Sequence, residues 1–138
     1  MGSEDERELD DRWWLGLRDT TVESVATNEY SVVVSFSGGN TLTIEGRTEI
    51  VQNDGLAVSF IDDEAVTAFD MLRSLAGARV LSGVAYKSGS LRLVFDTGAK
   101  LHVPFDAHYE AWQLTGPSGR MWVSLPGGGL TPVPREPT

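Results

Sequence analysis

The chain has no cysteine, which excludes a disulfide framework, thiolate metal sites and a cysteine nucleophile. It has no run near the roughly 18 apolar residues that a membrane-spanning helix needs, and its first residues are acidic where a secretory signal is basic and then apolar. A cytoplasmic protein without a membrane partner is therefore expected. Basic residues are scarce as well: 11 Lys and Arg against 20 Asp and Glu leave a net charge of -9. Nucleic-acid binding rests on a basic stripe, and the sequence shows none, so no nucleic-acid partner is expected.

Catalytic signatures are missing too. His102 sits between Leu101 and Val103, and His108 lies in the loop from Pro104 to Tyr109 near Asp106, a spacing unlike that of metal-protease or finger sites. No G-x-S-x-G elbow occurs, and Gly127-Gly128-Gly129 is not followed by the Lys-Ser/Thr of a phosphate loop; the glycine tract is expected to be a flexible exit. We expect no catalytic residue, no metal, no cofactor and no enzyme.

What is present suits one domain, with 138 residues and 41% apolar content, enough for a single core. Residues 1–11 hold six acids and one base, so this segment carries -5 and the remaining body -4. Its charge density predicts a solvated, disordered leader. Residues 131–138, with Pro132, Pro134 and Pro137, are expected to be a disordered tail. The domain proper is expected to span 12–130.

Short apolar runs broken by Gly, Asn, Asp and Ser fill 20–60 and again 79–125, the pattern of strands and tight turns. Between them, over about 63–76, Ala65, Phe69, Leu72, Leu75 and Ala76 form one apolar stripe after the caps Asp62, Asp63 and Glu64, with Gly77 as a stop. At an offset of 59 residues Val22 falls on Leu81, Val25 on Val84, Val32, Val34 and Phe36 on Leu91, Leu93 and Phe95, Gly39 on Gly98, and Leu42 and Ile44 on Leu101 and Val103. With a shift of two more, Glu49 falls on Glu110 and Val51 on Trp112; beyond a longer loop Val58 meets Val123 and Ala57 meets Trp122. The expected fold is mainly β with one helix (α+β). Two copies of a five-strand meander are joined by that helix and packed as a sandwich or a partly closed barrel.

Because strand side chains alternate in facing, the matched positions sort core from surface. Val32, Val34, Phe36, Leu42 and Ile44 and their partners should line the core, with Trp112 as an anchor. Trp122, out of phase with Met121, Val123 and Leu125, should point outward as a binding hot spot unless the helix, Trp13 or Trp14 covers it. Glu49 and Glu110 form a related pair that could hold a cation or a basic side chain, or could cap loops through backbone donors.

The segment Tyr109-Glu110-Ala111-Trp112, then Gly116-Pro117, then Met121-Trp122-Val123-Ser124-Leu125-Pro126-Gly127-Gly128-Gly129 resembles a family of small, uncharacterised domains from actinobacteria-type genomes. The resemblance is close over the last quarter of the chain and implies domain boundaries rather than an activity. Members continue past the glycines to a small residue and a tryptophan, whereas this chain runs to Leu130-Thr131-Pro132.

The expected function is a non-enzymatic protein-binding module, of which a toxin-neutralising immunity-type protein is one form. Trp122 and Tyr109 would be its anchors, and its acidic residues would meet a basic partner. The alternative is a small-ligand pocket between the two copies, lined by Trp112 and Glu110. A hydrolase using His108, Asp106 or Glu110 ranks last for want of a paired nucleophile and base.

Overall fold

The computed structural model describes residues 6–27, 31–45, 47–51, 57–60, 73–117 and 119–133. Thirteen strands occur among them: β1 (Glu6–Glu8), β2 (Arg12–Leu15), β3 (Val22–Thr27), β4 (Val32–Phe36), β5 (Asn40–Ile44), β6 (Thr48–Val51), β7 (Ala57–Phe60), β8 (Val80–Tyr86), β9 (Leu91–Phe95), β10 (Lys100–Val103), β11 (Trp112–Thr115), β12 (Met121–Ser124) and β13 (Leu130–Val133). They form two antiparallel sheets. One runs β1-β2-β8-β9-β10-β6-β7 and the other β13-β12-β11-β5-β4-β3. Neither sheet closes into a barrel among the described residues. The tight turns come from residues that accept a left-handed backbone, such as Gly39 (φ 90°) between β4 and β5 and Gly98 (φ 92°) between β9 and β10.

Alternation decides the core. In β4 and β9 every second residue is buried, and Val32, Val34, Phe36, Leu42 and Ile44 from one sheet meet Leu91, Leu93, Phe95, Leu101 and Val103 from the other in a single cluster. Branched and aromatic side chains suit such a half-buried pleated surface, and facing two sheets together removes both apolar faces from water.

Each sheet draws on both halves of the chain. The meander β8-β9-β10 pairs with the hairpin β6-β7, and the meander β3-β4-β5 pairs with the hairpin β11-β12. Where the halves meet, Thr21 and Arg79 form an antiparallel bridge. Reciprocal backbone bonds surround it: Val22 N–H donates to Ala78 O (2.9 Å) and Val80 N–H to Thr20 O (2.8 Å), while Gly77 N–H donates to Val22 O and Asp19 N–H to Val80 O, both at 2.8 Å. Asp19 (φ 70°) and Gly77 (φ 89°) both take positive φ. A bulge sits between Val22 and Ser24 in β3, and another between Val80 and Ser82 in β8.

These registers correct several expectations. Val22 opposes Phe36 as Val80 opposes Phe95, and Val22 is buried where Leu81 is 42% exposed, so the expected match of Val22 with Leu81 does not hold. Three residues separate β5 from β6 and eight separate β10 from β11, so the second half needs a larger shift than two. Glu49 opposes His102 within β6, whereas Glu110 lies before β11 and Gln113 opposes Thr43, so the expected match of Glu49 with Glu110 does not hold. Trp112 is buried where Val51, its expected match, is exposed. Trp122 opposes Leu114, a core residue, so it shares the inward face and not the outward one expected from its match with Ala57. A slip of one residue exchanges the faces of a strand, and Trp122 is 2% exposed inside the core. The outward hot spot is not there.

Among the described residues only Arg73 holds helical backbone. Most of the helix expected over 63–76, with its caps Asp62, Asp63 and Glu64, lies outside them; its described end is a turn in which Ala76 N–H donates to Arg73 O and Gly77 holds φ 89°. The expected leader is structured from Glu6 onward. β1 pairs with β2 through Glu6↔Leu15, Arg7↔Trp14 and Glu8↔Trp13, because two adjacent tryptophans give this acidic hairpin apolar area to bury, and Lys87 Nζ meets Glu8 Oε2 at 2.6 Å. The expected tail likewise contributes β13, paired with β12 from Leu130 to Val133.

Candidate binding surface

The conspicuous sequence around Trp112 builds a knot at Gly89. Trp112 is fully buried and its Nε1–H donates to Gly89 O at 2.9 Å; Ser124 Oγ–H donates to the same carbonyl at 2.7 Å. The glycine tract closes over this point, with Gly129 N–H donating to Ser88 O and Gly127 N–H to Asp106 O, both at 2.7 Å. Gly89 holds φ 114°, and a Cβ there would stand 2.9 Å from Gly129 O and from Phe105 Cβ. Only glycine satisfies both the backbone angle and the space. The tract is thus an ordered turn between β12 and β13, not a flexible exit. The Trp112 indole is enclosed, and Glu110 Oε1 accepts from Gln113 Nε2 at 2.7 Å.

Trp122 is covered by Trp13. Their rings meet edge to face, with centroids 6.2 Å apart and planes at 68°, an arrangement that suits the aromatic quadrupole. The guanidinium of Arg120 lies 4.9 Å from the Trp122 ring and 5.1 Å from that of Trp13, a cation–π contact with both. Trp13 comes from the seven-stranded sheet and Trp122 from the six-stranded one, so this trio ties one flank of the sandwich together. Trp122 Nε1 is buried without a hydrogen-bond partner among the described residues, a cost that the ring's burial outweighs.

The remaining candidates are dispersed. Glu49 faces His102 (Oε1 to Nδ1, 3.5 Å) and Arg47 (Oε2 to Nη2, 3.6 Å) on the seven-stranded sheet, far in topology from Glu110 before β11. The two glutamates do not form a site together, and among the described residues no group of three or more His, Asp or Glu is placed to hold a metal. His108 N–H, rather than its ring, bonds Asp106 Oδ1 at 2.8 Å, so that carboxylate does not orient an imidazole. Among the described residues Tyr109 and Phe105 are the most exposed aromatics, at 45% and 43%. Both sit on the loop between β10 and β11, which the glycine turn braces at Asp106.

A model for a family of unknown function, DUF6188, matches residues 13–134. The chain belongs to this family. The DUF6188 match begins at Trp13 in β2 and ends just beyond β13, so the Gly89 knot, the Trp13–Trp122 pair and the Phe105–Tyr109 loop all lie within it, while β1 precedes it. No curated protein matches the chain, and no solved structure does. No helix among the described residues is long and apolar enough to cross a membrane.

Proposed function

We propose that the protein is a non-enzymatic, cytoplasmic protein-binding module that presents the loop from Pro104 to Glu110 to a basic partner. The observation that carries this reading is the pair Phe105 and Tyr109, exposed on one braced loop. Aromatic side chains supply large contact area at low rotamer cost, and the half-buried carboxylates of Asp106 and Glu110 flank them, which steers cations toward the loop. Trp122 plays no direct part, being an internal strut. Toxin neutralisation is one role such a loop could serve.

The duplicated module belongs to the same proposal. The reciprocal bonds around Thr21 and Arg79, the paired bulges and the shared connectivity of the two sheets support two five-strand units that exchange hairpins about a pseudo-two-fold axis. The longer loop between β10 and β11 is where the second unit departs from the first, and it is the loop that carries Phe105 and Tyr109. Affinity capture compares the intact protein with Phe105→Ala/Tyr109→Ala. A basic partner retained by the former and lost by at least tenfold from the latter is expected. Equal retention by both would reject the loop as the binding element.

A further inference from the structure

Charge is segregated on this sandwich in a way the net value hides. Across six strands of the seven-stranded sheet the directly opposed residues run Arg7, Trp14, Val84, Arg92, His102 and Glu49. Opposed residues share a face. This row faces outward, because the residues that alternate with it, Ala85, Leu91, Leu93, Leu101, Val103 and Ile50, belong to the core cluster and Trp13 packs on it. Val84 is buried yet stands outside that cluster.

Beside the row, Arg12 opposes Tyr86 with its guanidinium 4.8 Å from the ring centroid, and Lys100 opposes Val94 and Val51. Arg47 reaches Glu49 from the same side. The face therefore gathers Arg7, Arg12, Arg47, Arg92 and Lys100 with His102, against Glu49 within the strands and Asp11, which pairs with Arg12 at 2.9 Å, in a chain whose net charge is -9. It is open to solvent: the side chains of His102 and Glu49 are 43% and 40% exposed.

We infer that the outer face of the seven-stranded sheet docks an acidic polypeptide segment, with carboxylates on Arg7, Arg92 and Lys100 and an apolar side chain against Trp14 and Tyr86. Arg7 and Arg92 stand three strand spacings apart, about 14 Å, which four extended residues span at about 3.4 Å each. A segment with an acid at each end and an apolar residue between them matches this spacing, with Trp14 lying between the two arginines. Phosphate chains fit less well, because the acidic remainder of the molecule opposes a long polyanion. This surface is independent of the loop proposed above.

The test titrates the intact protein with three labelled probes by fluorescence anisotropy, at low and high salt. These are a glutamate-rich decapeptide carrying one phenylalanine, its lysine counterpart, and a ten-nucleotide oligothymidine. The glutamate peptide is expected to bind best, to weaken at least fivefold at high salt, and to lose at least tenfold with Arg92→Glu/Lys100→Glu while Tyr109→Ala leaves it unchanged. Arg92→Gln, a milder change checked for native circular dichroism, should lose at least threefold. Tighter binding of the oligonucleotide, absence of peptide binding, or equal binding by the charge-reversed variant would each overturn the inference. Binding of the lysine peptide alone, lost on Tyr109→Ala, would overturn it while leaving the loop reading intact.

Discussion

The carbonyl of Gly89 is the most informative place to perturb this protein. Two buried donors, Trp112 Nε1 and Ser124 Oγ, converge on it at 2.9 and 2.7 Å. Removing one leaves the acceptor satisfied by the other. Ser124→Ala should therefore cost only about 1 kcal/mol, the net value of a neutral hydrogen bond. Trp112→Phe should cost about 2–3 kcal/mol, one hydrogen bond together with the space left by a smaller ring. The double variant differs in kind, because the buried carbonyl then loses both of its side-chain donors, and leaving such a group unpaired costs about 1–3 kcal/mol. Its loss should exceed the sum of the single losses by about 1–2 kcal/mol. Urea unfolding followed by far-ultraviolet circular dichroism measures this at constant m. Losses that add to within about 0.5 kcal/mol would refute the shared-acceptor reasoning.

Other outcomes follow from the same structure. Trp122→Ala should destabilise by about 3–5 kcal/mol as a core truncation does, whereas Trp122→Phe should cost clearly less, because the lost Nε1–H has no partner among the described residues; a surface-like effect below about 0.5 kcal/mol for Trp122→Ala would contradict its burial. Asp19 holds φ 70°, so Asp19→Gly should raise the denaturation midpoint by relieving up to about 1 kcal/mol of strain, while Gly77→Ala, at φ 89° with open space around its Cβ, should lower it by about 1–2 kcal/mol; midpoints moving the other way would remove the strain account. The hydrogen bond from Arg12, with its charge, holds the Asp11 carboxyl below the ordinary carboxylate value. A depressed native pKa gives stability that is present above the unfolded-state value and lost as pH falls through the native one. For this exposed pair the effect on stability is slight, but a carboxyl-detected NMR titration should show the Asp11 midpoint rising in Arg12→Gln, and an unmoved midpoint would exclude Arg12 as the cause.

The strands richest in alternating apolar residues are legible in the order of residues. Val32, Val34, Phe36 and Leu91, Leu93, Phe95 announce their facing because period two admits one buried set, and all six are buried. Trp112 is legible as an anchor because an aromatic in such a strand packs. The registers are not legible. Bulges at Val22–Ser24 and Val80–Ser82 interrupt the alternation within β3 and β8, and the eight residues before β11 against three before β6 put the later strands out of step. Alternation carries no marker for an insertion, so it sets Trp122 and Glu110 each against the wrong partner. The hairpin at Glu6–Leu15 is hidden by its charge, since the tryptophans that order it lie at its far end.

Residue order therefore suffices for a cysteine-free, mainly β chain with two strand-rich halves and a buried Trp112. It took the packed sheets to turn Trp122 inward onto Trp13, to lock the glycine tract onto Gly89, and to bring scattered basic residues from β1, β2, β9 and β10 and from Arg47 before β6 onto one face. Local alternation fixes which residues of a strand lie together. Only pairing between distant strands fixes which strands lie side by side, and charge or burial at a site is a sum over those neighbours.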